Sequence, residues 1–494
     1  MSKAFINCEV ISLAKRSKKY HGFLVENGKI VCLEDYDRIM EDSNEKINLQ
    51  GYTVLPGFID SHTHLMKMGF NMNRIDLSDT DSLEEAKYYL EKAVNNKNEE
   101  DWIVGIDYDD SKWKKVISPT KEDLDEVSDE HPIVMIRVCG HVAIANSLAL
   151  EQIDDDMDMV DFEKGIMKEE AVWNLDEIMK ITKIDRINAI KRGMKKAHSL
   201  GVTGIHEIVD RKGWEAYKQL DKEGELNLRT RCYIHHEDAD DLTPVTLSDF
   251  LSLRGVKFYA DGSLGARTAA LEEEYGDDSG NNGILLHSKE EMEKIINSAE
   301  EKDFQVMVHA IGDRAINTVL DAYESTAEKT KKLRHRIEHA EMLWGENIRR
   351  IRYLNLILSA QPNFAYKWSQ PNGMNERRLG EERLQKCDPF WDAQRSLVKM
   401  TFGSDTMPMS PLFGVYSAVN HPILEQRIST YNALQSYITN GAYASRDEDK
   451  FGQLTEGRYA DFVVLSENPL DADDLLDIEV KMTVINGEIV YSDF

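Results

Sequence analysis

Along residues 4–55 short apolar runs alternate with turn signals such as Glu26-Asn27-Gly28-Lys29, the pattern of a small antiparallel sheet. The C-terminal stretch reads the same way: 461–465 and 482–491 are apolar strand patterns, the second folded about Asn486-Gly487, a hairpin dipeptide. Chain ends that both read as strands can pair, so one composite sheet domain is expected from residues 1–53 and 441–494. Between them the period changes to strands alternating with helices, the mark of βα units and a parallel sheet. Ser288 and Glu291 predict a capping box ahead of the apolar stripe Met292, Ile295, Ile296 and Ala299. A second stripe, Ile187, Ile190, Met194 and Ala197, stops before Gly201. Core strands are predicted at 54–64, 202–208, 228–235, 255–261, 305–310, 335–340, 356–361 and 398–405. Eight such units predict a closed barrel within 54–440. The gap between the first two strands far exceeds an ordinary βα loop, so about 66–185 is expected to be an insertion with structure of its own.

Composition narrows the partners. The chain has 494 residues, 41% of them apolar, enough for a large core. With 60 Lys and Arg against 89 Asp and Glu, the net charge is −29. A surface this acidic repels phosphate backbones and anionic lipid headgroups, which points to a small-molecule partner and away from nucleic acid and membranes. Cys8, Cys32, Cys139, Cys232 and Cys387 never form a CxxC pair and read as buried thiols in a reducing compartment. Asn7 and Glu9 interrupt the N-terminal apolar stretch and no run of eighteen apolar residues occurs, so a cytoplasmic protein is expected.

Chemistry gathers at strand ends. His62 and His64 stand two apart at the end of an apolar strand, so alternation puts both on one face. In a barrel that face is the interior at the C-terminal mouth, where barrel enzymes place their active sites. Alone, HxH is a signal of only moderate specificity. On 255–261, however, Val256, Phe258 and Ala260 share one face while Lys257, Tyr259 and Asp261 share the other. Both faces of a barrel strand are covered, so inward polar groups need partners or a metal to offset their desolvation. His309, His339 and Asp405 close three further apolar strands at the same end.

These motifs resemble the amidohydrolase superfamily of metal-dependent hydrolases, and more narrowly its subgroup of N-substituted formamide deformylase-like proteins. The resemblance covers nearly the whole chain and rests on LPGFIDSHTH at 55–64, VKFYADGSLG at 256–265, VHAIGDRA at 308–315, HRIEH at 335–339, FGSD at 402–405 and LTEGRYADFVV at 454–464. It implies a distorted TIM (β/α)8 barrel with a small β-sandwich-like domain formed by both termini. It also implies that His62 and His64 bind one divalent ion with Asp405, and His309 and His339 a second, with Lys257 bridging the two as a carbamate. Imidazoles and carboxylates suit zinc and its neighbours. Carbamate formation needs a neutral amine, which desolvation and metal charge both favour. If Lys257 stays an ammonium, the site holds one ion. Glu169 and Glu170 in the insertion are further candidates as ligands.

The implied activity is hydrolysis of a C–N bond other than a peptide bond, with metal-activated hydroxide as nucleophile and Asp405 as proton shuttle. Deaminase-type or cyclic-imidate hydrolysis, and a non-catalytic scaffold of the same fold, remain as alternatives. Relatives commonly form homo-oligomers. His206, Tyr259 and Arg314 are candidate donors near the mouth, each weighed against a structural role. His141 and Asn146 within 140–147 are candidates for a substrate contact or for loop packing alone. His198, among lysines on a helical stretch, reads as exposed. Trp102, Trp113 and Trp173 read as core before pocket.

Overall fold

In the computed structural model, residues 2–14, 20–33, 35–95, 98, 101–114, 118–138, 140, 142–154, 157, 159–168 and 170–494 are described. Cys139, His141 and Glu169 lie outside them, as do the side chains of Glu170 and Trp173. The chain divides into two compact units, one of Met1–Leu65 with Gly193–Phe494 and one of Met66–Arg192.

The first unit holds the barrel. Its strands are β1 (Phe58–Thr63), β2 (Val202–Val209), β3 (Arg229–His235), β4 (Leu251–Tyr259), β5 (Gln305–Ala310), β6 (Arg336–His339), β7 (Ile357–Ala360) and β8 (Lys399–Phe402). Each pairs in parallel with the next. The strands are buried almost throughout, as apolar runs between covering helices should be. The ring is nearly closed. Its last seam, between β8 and β1, is held by the Asp405 N–H donating to the His62 carbonyl at 2.8 Å. The helix Lys289–Glu301 begins with the expected Ser288/Glu291 capping box and buries Met292, Ile296 and Ala299.

The first predicted strand, 54–64, proves to be two. Thr53–Pro56 pairs antiparallel with Phe462–Leu465 in a separate sheet, and only Phe58–Thr63 enters the barrel. Gly57 is the joint. A Cβ there would overlap the Thr203 side chain, so only glycine lets the chain cross from one sheet to the other this close to β2.

The separate sheet is built from both chain ends. Ser2–Val10 pairs antiparallel with Tyr20–Glu26 and parallel with both Glu45–Asn48 and Thr53–Pro56. Phe462–Leu465, Val480–Ile485 and Glu488–Ser492 complete it. Phe5, Phe23 and Phe462 meet at its centre with ring centroids 4.8–5.2 Å apart. His198, expected to be exposed, is buried here. The end of its helix packs beneath the sheet, where the Thr483 hydroxyl donates to the His198 carbonyl at 2.6 Å, and burial lowers the imidazole pKa to about 4. The charged neighbours that suggested exposure lie elsewhere on the helix surface, a distinction that local composition does not carry.

The second unit carries a six-stranded sheet whose main run is Ile75–Asp76, Ile103–Tyr108, Ile133–Arg137 and Val142–Ala145. Ile133 and Met135 join one apolar cluster and Val134 another, so the sheet is covered on both faces. Trp113 is buried in the first cluster. Asn146 has a structural role: its Oδ1 accepts from the backbone of Ile133 and Ala149, at 2.9 and 3.0 Å, capping the short helix Ser147–Leu150. Among the described residues Cys8, Cys32, Cys232 and Cys387 are buried free thiols, and no helix is long and apolar enough to cross a membrane.

The seam makes one position critical. A Cβ at Gly403 would overlap the His62 backbone, whereas one at Gly204 in β2 meets nothing closer than 3.5 Å. Gly403→Ala is expected to cost on the order of 1–3 kcal/mol, with Gly204→Ala much nearer neutral. Thermal unfolding of the two variants against the parent checks this.

Candidate metal centre

The polar ends of the barrel strands converge at one mouth. His62 is buried near the end of β1 and His64 is half-buried just beyond it, their rings 5.9 Å apart. Asp405, past the end of β8, brings Oδ1 to 3.2 Å from His64 Nε2 and 3.7 Å from His62 Nε2. His339 closes β6 with its ring 4.9 Å from that of His62 and 4.4 Å from that of His309 on β5. His309 Nε2 is spent on the Gly262 carbonyl at 2.9 Å, which leaves Nδ1 as its other donor atom. Lys257 on β4 is fully buried, with Nζ 4.9 Å from the Tyr259 ring centroid and no hydrogen-bond partner among the described residues.

Two of these side chains depend on unusual backbone. Alternation along β6 points Arg336 and Glu338 inward and would point His339 outward. His339 and Ala340 instead adopt φ of 67° and 50°, a left-handed turn that swings the imidazole toward His62. Asp405 and Thr406 do the same at 52° and 56°. Non-glycine residues in this region are sparsely populated, and such strain is concentrated at functional sites.

Electrostatics favour ligand chemistry. Burial, and after it the Lys257 ammonium, lower the pKa values of His62 and His309, His309 to about 3; burial and the neighbouring imidazoles take His339 well down. Neutral imidazole is the form that binds metal. Burial alone would raise Asp405, but His62, His64 and His339 outweigh it and hold the carboxyl below the usual range. Burial lowers Lys257 to about 8, against the opposing pull of Glu338 and Asp405. Donor atoms of His62, His339 and Asp405 lie within 4.8 Å of one another, a spacing one cation can span. His339 Nδ1, like Lys257 Nζ, is buried without a partner among the described residues. Neutral nitrogens, a carboxylate and orphaned buried donor atoms fit a divalent ion. The tightest trio draws on both of the histidine sets that the resemblance assigned to separate ions.

The other sequence candidates fall differently. Tyr259 stands beside the centre, its ring 5.3 Å from His309 and 6.2 Å from His235. The Arg314 guanidinium donates to the carbonyls of Asn282 and Gly283, at 3.1 and 3.0 Å, and so braces a loop. Asp261 clamps the same region by accepting from the backbone of Ala270, Ile311 and Gly312. His206 is buried below the mouth and accepts from Arg336 at 2.7 Å.

Three residues were missed. Glu338 contacts His62 Nδ1 at 2.5 Å and is gripped by Arg336 at 2.8 and 3.0 Å. Their shared parity in HRIEH was the available signal. Gln361 continues β7 in extended conformation two residues beyond Ser359, whose hydroxyl accepts from the inward Arg336, so it faces the same interior. It is buried, and neither carboxamide atom has a partner among the described residues. Nothing in sequence marks it out.

Residues 45–491 match the family model described as the amidohydrolase family. The chain is 28% identical to YtcJ of Bacillus subtilis (strain 168), named as a candidate amidohydrolase, over 98% of each chain. It is 24% identical to the N-substituted formamide deformylase of Arthrobacter pascens, over 98% of this chain and 97% of that one. The crystal structure of an uncharacterized metal-dependent hydrolase from Pyrococcus furiosus superposes with a TM-score of 0.84 at 30% identity, covering 95% of this chain and all of the other. A match that starts in the terminal sheet, runs through the barrel and ends in the same sheet assigns the whole architecture at once, and this chain belongs to the amidohydrolase family.

Proposed function

We propose that this chain is a metal-dependent hydrolase that cleaves the C–N bond of a small, amide-like, non-peptide molecule. The observation that carries the reading is the convergence of His62, His339 and Asp405 beside the buried amine of Lys257, which has no hydrogen-bond partner among the described residues. Similarity to a metal-dependent hydrolase and to a formamide deformylase supports both the metal and the bond class.

In this reading His62, His64, His309, His339 and Asp405 would hold the ion or ions, zinc first among them, and Lys257, as a carbamate, would supply a further oxygen ligand in the two-ion form. A divalent ion bound there acidifies water toward a pKa of about 7 and polarises a carbonyl. Asp405, kept ionised, takes the proton of the attacking water and returns it to the departing nitrogen, acting as base and then acid. Its bond from the main chain to the His62 carbonyl and its left-handed backbone hold the carboxylate in place through both transfers. Burial raises the Tyr259 phenol above its ordinary pKa, so it stays an O–H donor able to meet a developing oxyanion. Gln361 presents an N–H2 and a carbonyl oxygen, neither partnered among the described residues, the complement of an amide group.

The lysine has its own chemistry. A neutral amine adds carbon dioxide by forming an N–C bond and releasing one proton, leaving an anionic carbamate. At an ordinary pKa of 10.5 little neutral amine exists near neutrality, but at about 8 the fraction is substantial. Bicarbonate-stimulated reconstitution of metal-stripped protein should therefore rise between roughly pH 7 and 9, as the amine deprotonates near 8. A rise deferred to pH 10 or above would remove the shifted lysine from the account. Lys257→Ala should lower the metal count measured by elemental analysis and abolish the bicarbonate effect; an unchanged count selects the one-ion form.

The activity is tested by screening metal-replete enzyme against N-formyl and N-acyl amines, cyclic ureas and imidates. Amine and carboxylate products are expected, and ammonia release would point to a deaminase. On the best substrate Asp405→Asn should lower kcat by about 10²–10⁴-fold with the fold retained. Near-normal turnover would eliminate Asp405 as the proton shuttle.

A further inference from the structure

We propose that Glu338, itself held by Arg336, is the positioning residue that fixes His62 as the Nδ1-protonated tautomer and so dedicates its Nε2 to the ion. The inference rests on the metal-centre reading above. The geometry is a count of donors. Arg336 Nε donates to Glu338 Oε1 at 2.8 Å and Arg336 Nη2 to Oε2 at 3.0 Å, while His62 Nδ1 lies 2.5 Å from the same Oε2. All three side chains are buried. A carboxylate paired with a guanidinium in this way only accepts, so the proton between Glu338 and His62 belongs on Nδ1. The Nε2 lone pair is then left on the side facing Asp405, 3.7 Å away.

Arg336 is equally constrained. Its Nη2 also reaches the Ser61 carbonyl at 2.6 Å and the Ser359 hydroxyl at 2.8 Å, and its Nη1 donates to His206 Nδ1 at 2.7 Å. One guanidinium on β6 is thus tied to β1, β2 and β7. The orientation of His62 is inherited from the barrel wall and not left to solvent. Outer partners of this kind raise metal affinity by fixing ring orientation and tautomer, and their loss typically costs about 10–100-fold.

The glutamine isostere is a demanding probe. Three donors converge on two acceptor oxygens, and a carboxamide has only one. With its oxygen toward Arg336 Nε, the amide N–H2 faces His62 and drives that ring to the other tautomer, with hydrogen on Nε2. With its oxygen toward His62, the N–H2 opposes Arg336 Nε. Either arrangement loosens or misdirects the imidazole.

The test measures Zn²⁺ affinity by competition with a chromophoric chelator, and histidine tautomers by ¹⁵N NMR on metal-free protein. Wild-type His62 should be the Nδ1–H form, and Glu338→Gln should bind Zn²⁺ about 10–100-fold more weakly. Ser359→Ala removes another buried bond to Arg336 without touching the carboxylate–imidazole pair; it should lower the unfolding midpoint yet leave Zn²⁺ affinity within about twofold. An Nε2–H tautomer of His62 in the wild type overturns the proposal without any variant, so a Glu338→Gln chain that fails to fold does not protect it. Equal Zn²⁺ affinity in folded Glu338→Gln overturns it as well and leaves the metal reading standing. Failure of the wild type to bind Zn²⁺ sinks the metal reading and this inference with it.

Discussion

Inside the barrel two cations, Arg336 and Lys257, and two anions, Glu338 and Asp405, are removed from water together. Each alone would be prohibitive to bury, and their mutual compensation is the constraint on which the centre depends. Arg336 and Glu338 pair directly and completely, with three strands supplying further acceptors. Lys257 and Asp405 do not pair by any direct bond. Lys257 has no hydrogen-bond partner among the described residues, and Asp405 is stabilised by imidazoles, not by a cation in contact. A core that satisfies one ion pair and leaves the other apart keeps an amine and a carboxylate at its mouth with no direct bond between them.

Geometry and strain are coupled there. His339 and Asp405 both leave their strands in left-handed conformation, which rigid strands on either side must impose. The same closure of β8 onto β1 that leaves no room for a side chain at Gly403 supplies the main-chain bond from Asp405 to His62. The seam of the barrel and the placement of the Asp405 carboxylate are therefore one structural feature.

Around this centre the wall changes character. Phe364, in the helix that follows β7, stacks over His339 with the rings 6.1 Å apart and nearly parallel. Trp368 lies against Phe364 at 4.5 Å. Gln361 leaves the same strand end, its carbonyl accepting from the Phe364 N–H at 3.0 Å, so a carboxamide and an aromatic wall adjoin there, with Tyr259 across the ring on β4.

Much of this was legible in one dimension. Alternation on apolar strands located Lys257 and His309, Asp405 was legible only as the polar close of an apolar run, and the eight-strand count implied the barrel, because period-2 burial is a local property of a covered strand. The HxH pair was legible for the same reason. What alternation alone gets wrong is His339, which reaches the centre only through a backbone reversal, and what charged neighbours get wrong is His198, whose burial depends on a sheet made by the far end of the chain. The division of 54–64 between two sheets turned on the space beside Thr203, and the roles of Glu338 and Gln361 on who stands opposite them. His62 and Glu338 are 276 positions apart. Sequence by itself determines which face of each strand is polar. Only the closed ring decides which polar faces meet, because hydrogen bonding and desolvation are set by neighbours in space.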